Sequence, residues 1–217
     1  MSEIKQHEIP FERVLFFSDA IVAIAITLLA LDLRIEVPDD RHIIFHDLFV
    51  PWKKYLAFVL SFINIATFWR THHLMYTFIH KMNNKTMSYN IGWLFFIVTL
   101  PFATSVLSTH FGDAPAVFLY SMNIFALAVF QNMIWDASDF KDNLISPDDI
   151  SESARTRFRL MFNFDMGNAL LCVLLSFLFP KVSFFLLFFK IPIWILIPIY
   201  NARKFGSKRK IQSLNKS

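Results

Sequence analysis

The segment Arg13 to Leu33, RVLFFSDAIVAIAITLLALDL, constrains this chain more than any other feature. As an α-helix its 21 residues rise about 31 Å, the thickness of a bilayer's hydrocarbon core. Asp19 lies about two turns in, and twelve uncharged residues separate it from Asp32. A carboxylate at that depth costs on the order of 2.5–3.5 kcal/mol on insertion scales, so it must face protein or water and not lipid. A polar group kept there marks this helix as the first place to look for function.

Further apolar blocks follow at 52–79, 89–109, 115–136, 160–179 and 182–200. With 55% hydrophobic residues and 27 phenylalanines in 217, the chain reads as an all-α integral membrane protein with six transmembrane helices. The organisation expected is a polar N-terminus (1–12), one six-helix unit (13–200) and a basic tail (201–217). The polar start, MSEIKQHEIPFE, lacks the shape of a signal peptide, so 13–33 is expected to stay as an anchor. Lys190, Pro192 and Pro198 predict a kink or break in the sixth block, and Pro101 a kink in the third.

Topology follows from the connecting segments. The N-terminus counted through Arg13, 80–88, 137–159 and the C-terminus together hold fourteen Lys and Arg; the opposite side, counted with Lys53 and Lys54 at the start of the second block, holds five. Both termini are therefore expected to be cytoplasmic. The basic residues flank apolar blocks, so the net charge of +4 points to membrane surfaces and not to nucleic acid. The lone cysteine, Cys172, excludes an internal disulfide and a multi-cysteine metal site.

In the first helix Ile24, Thr27, Leu28 and Leu31 share one face by their spacing. Such a stripe suits ordinary helix packing, helped by small Ala23, Ala25 and Ala30. It equally suits a pore lining, in which hydrophobic rings gate by dewetting and a hydroxyl contacts a partly dehydrated cation. None of the four glycines forms a Gly-Tyr-Gly filter, a phosphate loop or a dinucleotide fingerprint, so any channel filter here is built from side chains.

Trp69, His72 and His73 close the second block and are placed to donate to Ser18 and Asp19 from a neighbouring helix, with Arg13 a further partner for Asp19. Adjacent histidines point about 100° apart on a helix, which disfavours a shared metal or haem. Asp165 and Asn168 read as interhelical contacts, and Thr99, Thr104 and Ser105 as partners for backbone freed by Pro101. No nucleophile–base–orienter set is present, because Ser18 and Asp19 point apart. No enzyme activity and no metal or other cofactor is expected.

Arg13-x-x-x-Phe17-Ser18-Asp19, continuing through AIVAIAITLLALDL, resembles the RxxxFSD signature of the transmembrane protein 175 family, the endolysosomal potassium channels and their bacterial relatives. Trp69-x-x-His72-His73 and Asn90, followed by LPFATSVL, support the resemblance. Ala20 stands where many relatives have glycine. The resemblance implies a potassium-permeable cation channel lined by the first helix. Animal members carry two six-helix repeats and dimerise; one repeat here implies a homotetramer in a bacterial inner membrane, with itself, lipid and monovalent cations as partners. The family's constriction falls on Ile24, Leu28 and Leu31, and its pore threonine on Thr27. Arg13, Phe17, Ser18, Asp19, Trp69, His72, His73 and Asn90 are then the network holding the pore helix. The alternative is a secondary transporter, proton-coupled through Asp19 and the histidines.

Overall fold

The structure is a computed structural model that describes residues 11–38, 40–141, 144–145 and 150–188. The chain folds as α1 (Phe11–Ala30), α2 (Phe45–Phe49), α3 (Trp52–Tyr76), α4 (Asn84–Thr109), α5 (Ala114–Asp136), α6 (Glu152–Leu178) and α7 (Pro180–Leu186). No strand occurs among the described residues; one isolated bridge joins Ile79 to Ile145. In hydrocarbon every backbone group needs an internal partner, and helices supply it within the segment. Four helices, α1, α4, α5 with the turn after it, and α6, are long and apolar enough to cross a membrane, and the chain is an integral membrane protein. With 25 residues, α3 has the length to cross, about 37 Å, but it carries Lys53, Lys54, Arg70 and a row of buried polar side chains.

Local chemistry sets the ends. The Asn83 side chain accepts from the Thr86 N–H at 2.8 Å and starts α4. Pro115 and Pro180 open α5 and α7, where a missing N–H costs nothing. Gly112, at φ +90°, makes the turn between α4 and α5. Pro101 does not interrupt α4, which runs unbroken to Thr109.

The stretch 137–159, read from the sequence as a connecting loop, is shorter than that. A π-helical turn, Ala137–Lys141, extends α5. Ser151 then caps α6, accepting from the Ala154 N–H at 3.4 Å, so Arg155, Arg157 and Arg159 are helical. Of the sixth apolar block, 182–200, only the start is described; its remainder, with Lys190, Pro192 and Pro198, lies outside the described residues, as do 1–10 and the basic tail 201–217.

Against the core formed with α3 and α4, α1 turns one narrow stripe: Val14, Ser18, Val22, Ala25 and Leu29. The α5 helix packs between α4 and α6. Trp93, Tyr120, Trp135 and Phe162 fill the centre. Lipid tails are as apolar as these side chains, so close packing and interhelical hydrogen bonds, and not hydrophobic exclusion, hold the helices together.

Candidate functional site around α1

The two faces of α1 have opposite characters. On the packed face the Ser18 hydroxyl donates to the Val14 carbonyl at 2.8 Å and accepts from Asn90 Nδ2 of α4 at 3.0 Å. Asn90 Oδ1 stands 2.8 Å from His72 Nε2 of α3 and receives a longer bond, 3.4 Å, from the Tyr76 hydroxyl. An amide oxygen only accepts, so His72 carries its proton on Nε2. The His72 ring is stacked on Trp93, centroids 4.2 Å apart, and meets the edge of Tyr76 at 4.6 Å. Ser18, His72 and Asn90 are all buried, so this three-helix bridge sits away from water.

One residue along, Asp19 accepts from Trp69 Nε1 at 2.8 Å. His73 lies beside Trp69, centroids 5.8 Å apart, while His72 points inward; the two histidines diverge as their spacing requires. The structure thus brings together Ser18, Asp19, Trp69, His72, His73 and Asn90. Arg13 and Phe17 stay on the exposed side of α1. Among the described residues no ion pair joins Arg13 to Asp19, and the indole of Trp69 takes that place. Nor does any group of three or more His, Cys, Asp or Glu side chains gather as metal ligands among them.

The other face of α1 is uncovered. Ile24 is 59%, Leu28 40% and Leu31 64% exposed. Thr27 is exposed beside them and donates to the Ile24 carbonyl at 2.7 Å. That bond commits the hydroxyl hydrogen to the backbone and leaves the oxygen as an acceptor. Four residues placed on one stripe by spacing are thus on one uncovered surface.

Several polar contacts were not legible from spacing. Asp32, just past the end of α1, accepts from Ser105 at 3.1 Å and Ser108 at 3.2 Å, tying the far end of α1 to α4. Ser105 therefore serves Asp32. Thr104 donates to the Leu100 carbonyl at 2.7 Å and lies 2.7 Å from Ser61, which donates to the Tyr120 hydroxyl together with Asn64. Asp139 pairs with Arg155, and Asp136 with Arg159, each at 2.7 Å, fastening α5 to α6. The one signal for these was the recurrence of Ser, Thr, Asn and Asp inside apolar blocks, which says that polar groups must pair but not with whom.

Comparison with known proteins adds independent support. Residues 13–101 match the sequence profile of the family described as endosomal/lysosomal potassium channel TMEM175. A potassium channel from Streptomyces collinus is 30% identical over 152 residues, covering 68% of this chain and 74% of the relative. The chicken (Gallus gallus) endosomal/lysosomal proton channel TMEM175 is 33% identical over 137 residues, 57% of this chain and 27% of that longer one. The crystal structure of a lysosomal potassium-selective channel TMEM175 homologue from Chamaesiphon minutus superposes with a TM-score of 0.72 at 25% identity, over 85% of this chain and 96% of that one. On sequence profile, relatives and fold together, this chain belongs to the endosomal/lysosomal potassium channel TMEM175 family, a family of ion channels and not of enzymes.

Proposed function

We propose that the chain is a potassium-permeable leak channel, assembled as a homotetramer around four copies of α1. Six segments cross the membrane: α1, α3, α4, α5, α6 and the block 182–200. Residues 13–200 form the channel unit, with residues 1–12 and the tail 201–217 on the cytoplasmic side of a bacterial inner membrane. Ile24 forms the narrowest, selecting ring, Thr27 offers hydroxyl oxygens, and Leu28 and Leu31 are hydrophobic barriers. Arg13, Phe17, Ser18, Asp19, Trp69, His72, His73 and Asn90 hold and gate the pore helix. No cofactor is needed; the only ligands are permeant potassium and other monovalent cations.

One observation carries this reading: α1 is pinned to its own protomer on the Ser18 side while Ile24, Thr27, Leu28 and Leu31 stay uncovered. Lipid would cover an apolar stripe equally well, but Thr27 and the small, exposed Ala20 and Ala23 suit close approach of other helices. Ring-shaped hydrophobic constrictions gate by dewetting. The potassium channels among the relatives supply the ion.

The test is passive flux through purified protein in liposomes, first with an outward potassium gradient and then with an equal sodium gradient. Potassium flux well above sodium flux is expected. Ile24→Asn, which wets the constriction, should raise the flux or narrow the gap between the ions. No flux from correctly assembled oligomers overturns the proposal.

A further inference from the structure

The connection from α1 to α3 carries an uncovered apolar surface that the pore does not use. Ile43, Ile44, Phe45, Phe49, Val50 and Trp52 are all exposed, Phe45 by 84% and Phe49 by 72%. Soluble surfaces rarely keep so many large apolar side chains together without a partner.

This surface is built. Arg41 Nη1 and Nη2 donate to the two Asp47 carboxylate oxygens, each at 2.7 Å, and the Ile44 N–H donates to the same carboxylate at 3.0 Å. Asp47 is buried by this clamp, and the five residues of α2 are held with their apolar side chains turned outward. A second set of contacts fixes the segment to its neighbours. The Trp52 ring meets Phe111 of the α4–α5 turn, centroids 5.6 Å apart, and Lys53 Nζ lies 6.0 Å above the same ring. Lys54 reaches Glu36 at 3.4 Å.

The position limits what can cover it. The segment joins a membrane-spanning helix to the start of α3, so it lies at the level of one membrane surface. Large apolar side chains sit there beside Arg41 and Lys53. The core of a protein–protein interface is depleted of charge. A bilayer boundary accepts both kinds of group, apolar side chains among the upper acyl chains and cations among the phosphates, with Trp at the interface between them. We infer that residues 43–52 form an interfacial lipid anchor that dips into the headgroup–acyl boundary of the bilayer and holds the α1–α3 end of the channel at a fixed depth.

Nitroxide labels test this in the full-length protein. The buried native thiol is removed by Cys172→Ala, and single cysteines are placed by Phe45→Cys, Phe49→Cys and, as a water-facing reference, Asp40→Cys. The protein is reconstituted in phosphatidylcholine–phosphatidylglycerol vesicles, and collision of each label with oxygen, which partitions into lipid, is compared with collision with a polar nickel complex. Oxygen should exceed nickel at 45 and 49, with the order reversed at 40. Ile44→Cys and Val50→Cys repeat the reading if a label at 45 or 49 lowers oligomer yield. Nickel exceeding oxygen at 45 and 49 would mean a water-facing loop and overturn the anchor. Shielding from both reagents with spin–spin broadening would mean contact with a second copy; shielding without broadening would mean cover by another part of this chain. Either also overturns it.

Discussion

Asn90 donates to the Ser18 hydroxyl at 3.0 Å, joining α4 to α1 across 72 residues of sequence. Its amide oxygen serves His72 at the same time, so one side chain sets the rotation of α1 against two neighbours. Asn90→Ala strands His72 Nε2 in a buried site and releases Ser18. Loss of these interhelical hydrogen bonds, with the longer one from Tyr76, should cost about 1–3 kcal/mol. Thermal unfolding in detergent should show a lowered midpoint; an unchanged midpoint would mean that the bridge does not hold α1.

A second fastening lies where α5 passes into α6. The Asp139 side chain is 0% exposed, and Arg155, 22% exposed, is its ion-pair partner. Removing one partner of a buried pair leaves the other charge uncompensated. Arg155→Ala should therefore destabilise by an amount near the lower end of about 3–5 kcal/mol, since Arg155 keeps some water contact. Adding Asp139→Asn should recover part of the loss. Unfolding of the single and double variants checks both statements.

The Arg41–Asp47 clamp has a defined pH range. The guanidinium bonds from Arg41, then the Ile44 N–H, draw the Asp47 carboxyl down to about 2 from 3.8. A depressed carboxyl pKa means that the folded loop favours the ionised form. The stabilisation is fully present above the unfolded value and disappears as pH falls through about 2. Hydrogen exchange at the Ile44 amide, corrected for intrinsic rates, should show constant protection from neutral pH to about 4, and loss of it toward pH 2. Asp47→Ala, which leaves no acceptor for the Ile44 N–H, should remove that protection at every pH.

Asp19 separates a channel from a coupled transporter. Its partner is the Trp69 indole, a neutral donor, so Asp19→Asn keeps an acceptor oxygen for the same bond. Passive potassium flux in Asp19→Asn liposomes should persist within a few-fold of the parent. Abolished, pH-driven flux in that variant would favour coupled transport.

Much of the fold is legible in the sequence because the bilayer leaves few alternatives. Long apolar blocks become helices, and polar groups within them must find partners. The meeting of Asp19 with Trp69 follows from that need. The role of Asn90 as the bridge between Ser18 and His72 does not, because it depends on how three helices are rotated about their axes, which periodicity leaves free. The start of α6 was missed for a related reason. Arg155, Arg157 and Arg159 read as loop residues under a membrane-only rule, whereas Ser151 caps a helix that begins before the apolar block and pairs two of those arginines with α5. Ser105 and Ser108 were hidden likewise, since nothing in their spacing points to Asp32.

The central claim is that α1 lines the ion path at Ile24. The measurement is potassium current or flux through Ile24→Cys in the Cys172→Ala background, before and after a small cationic thiol reagent, with the exposed position Phe102→Cys on α4 as the reference. Modification at position 24 should block most of the potassium flux, and modification at 102 should leave it unchanged. Complete labelling at Ile24→Cys with undiminished potassium flux would contradict the account, because the path would then run elsewhere.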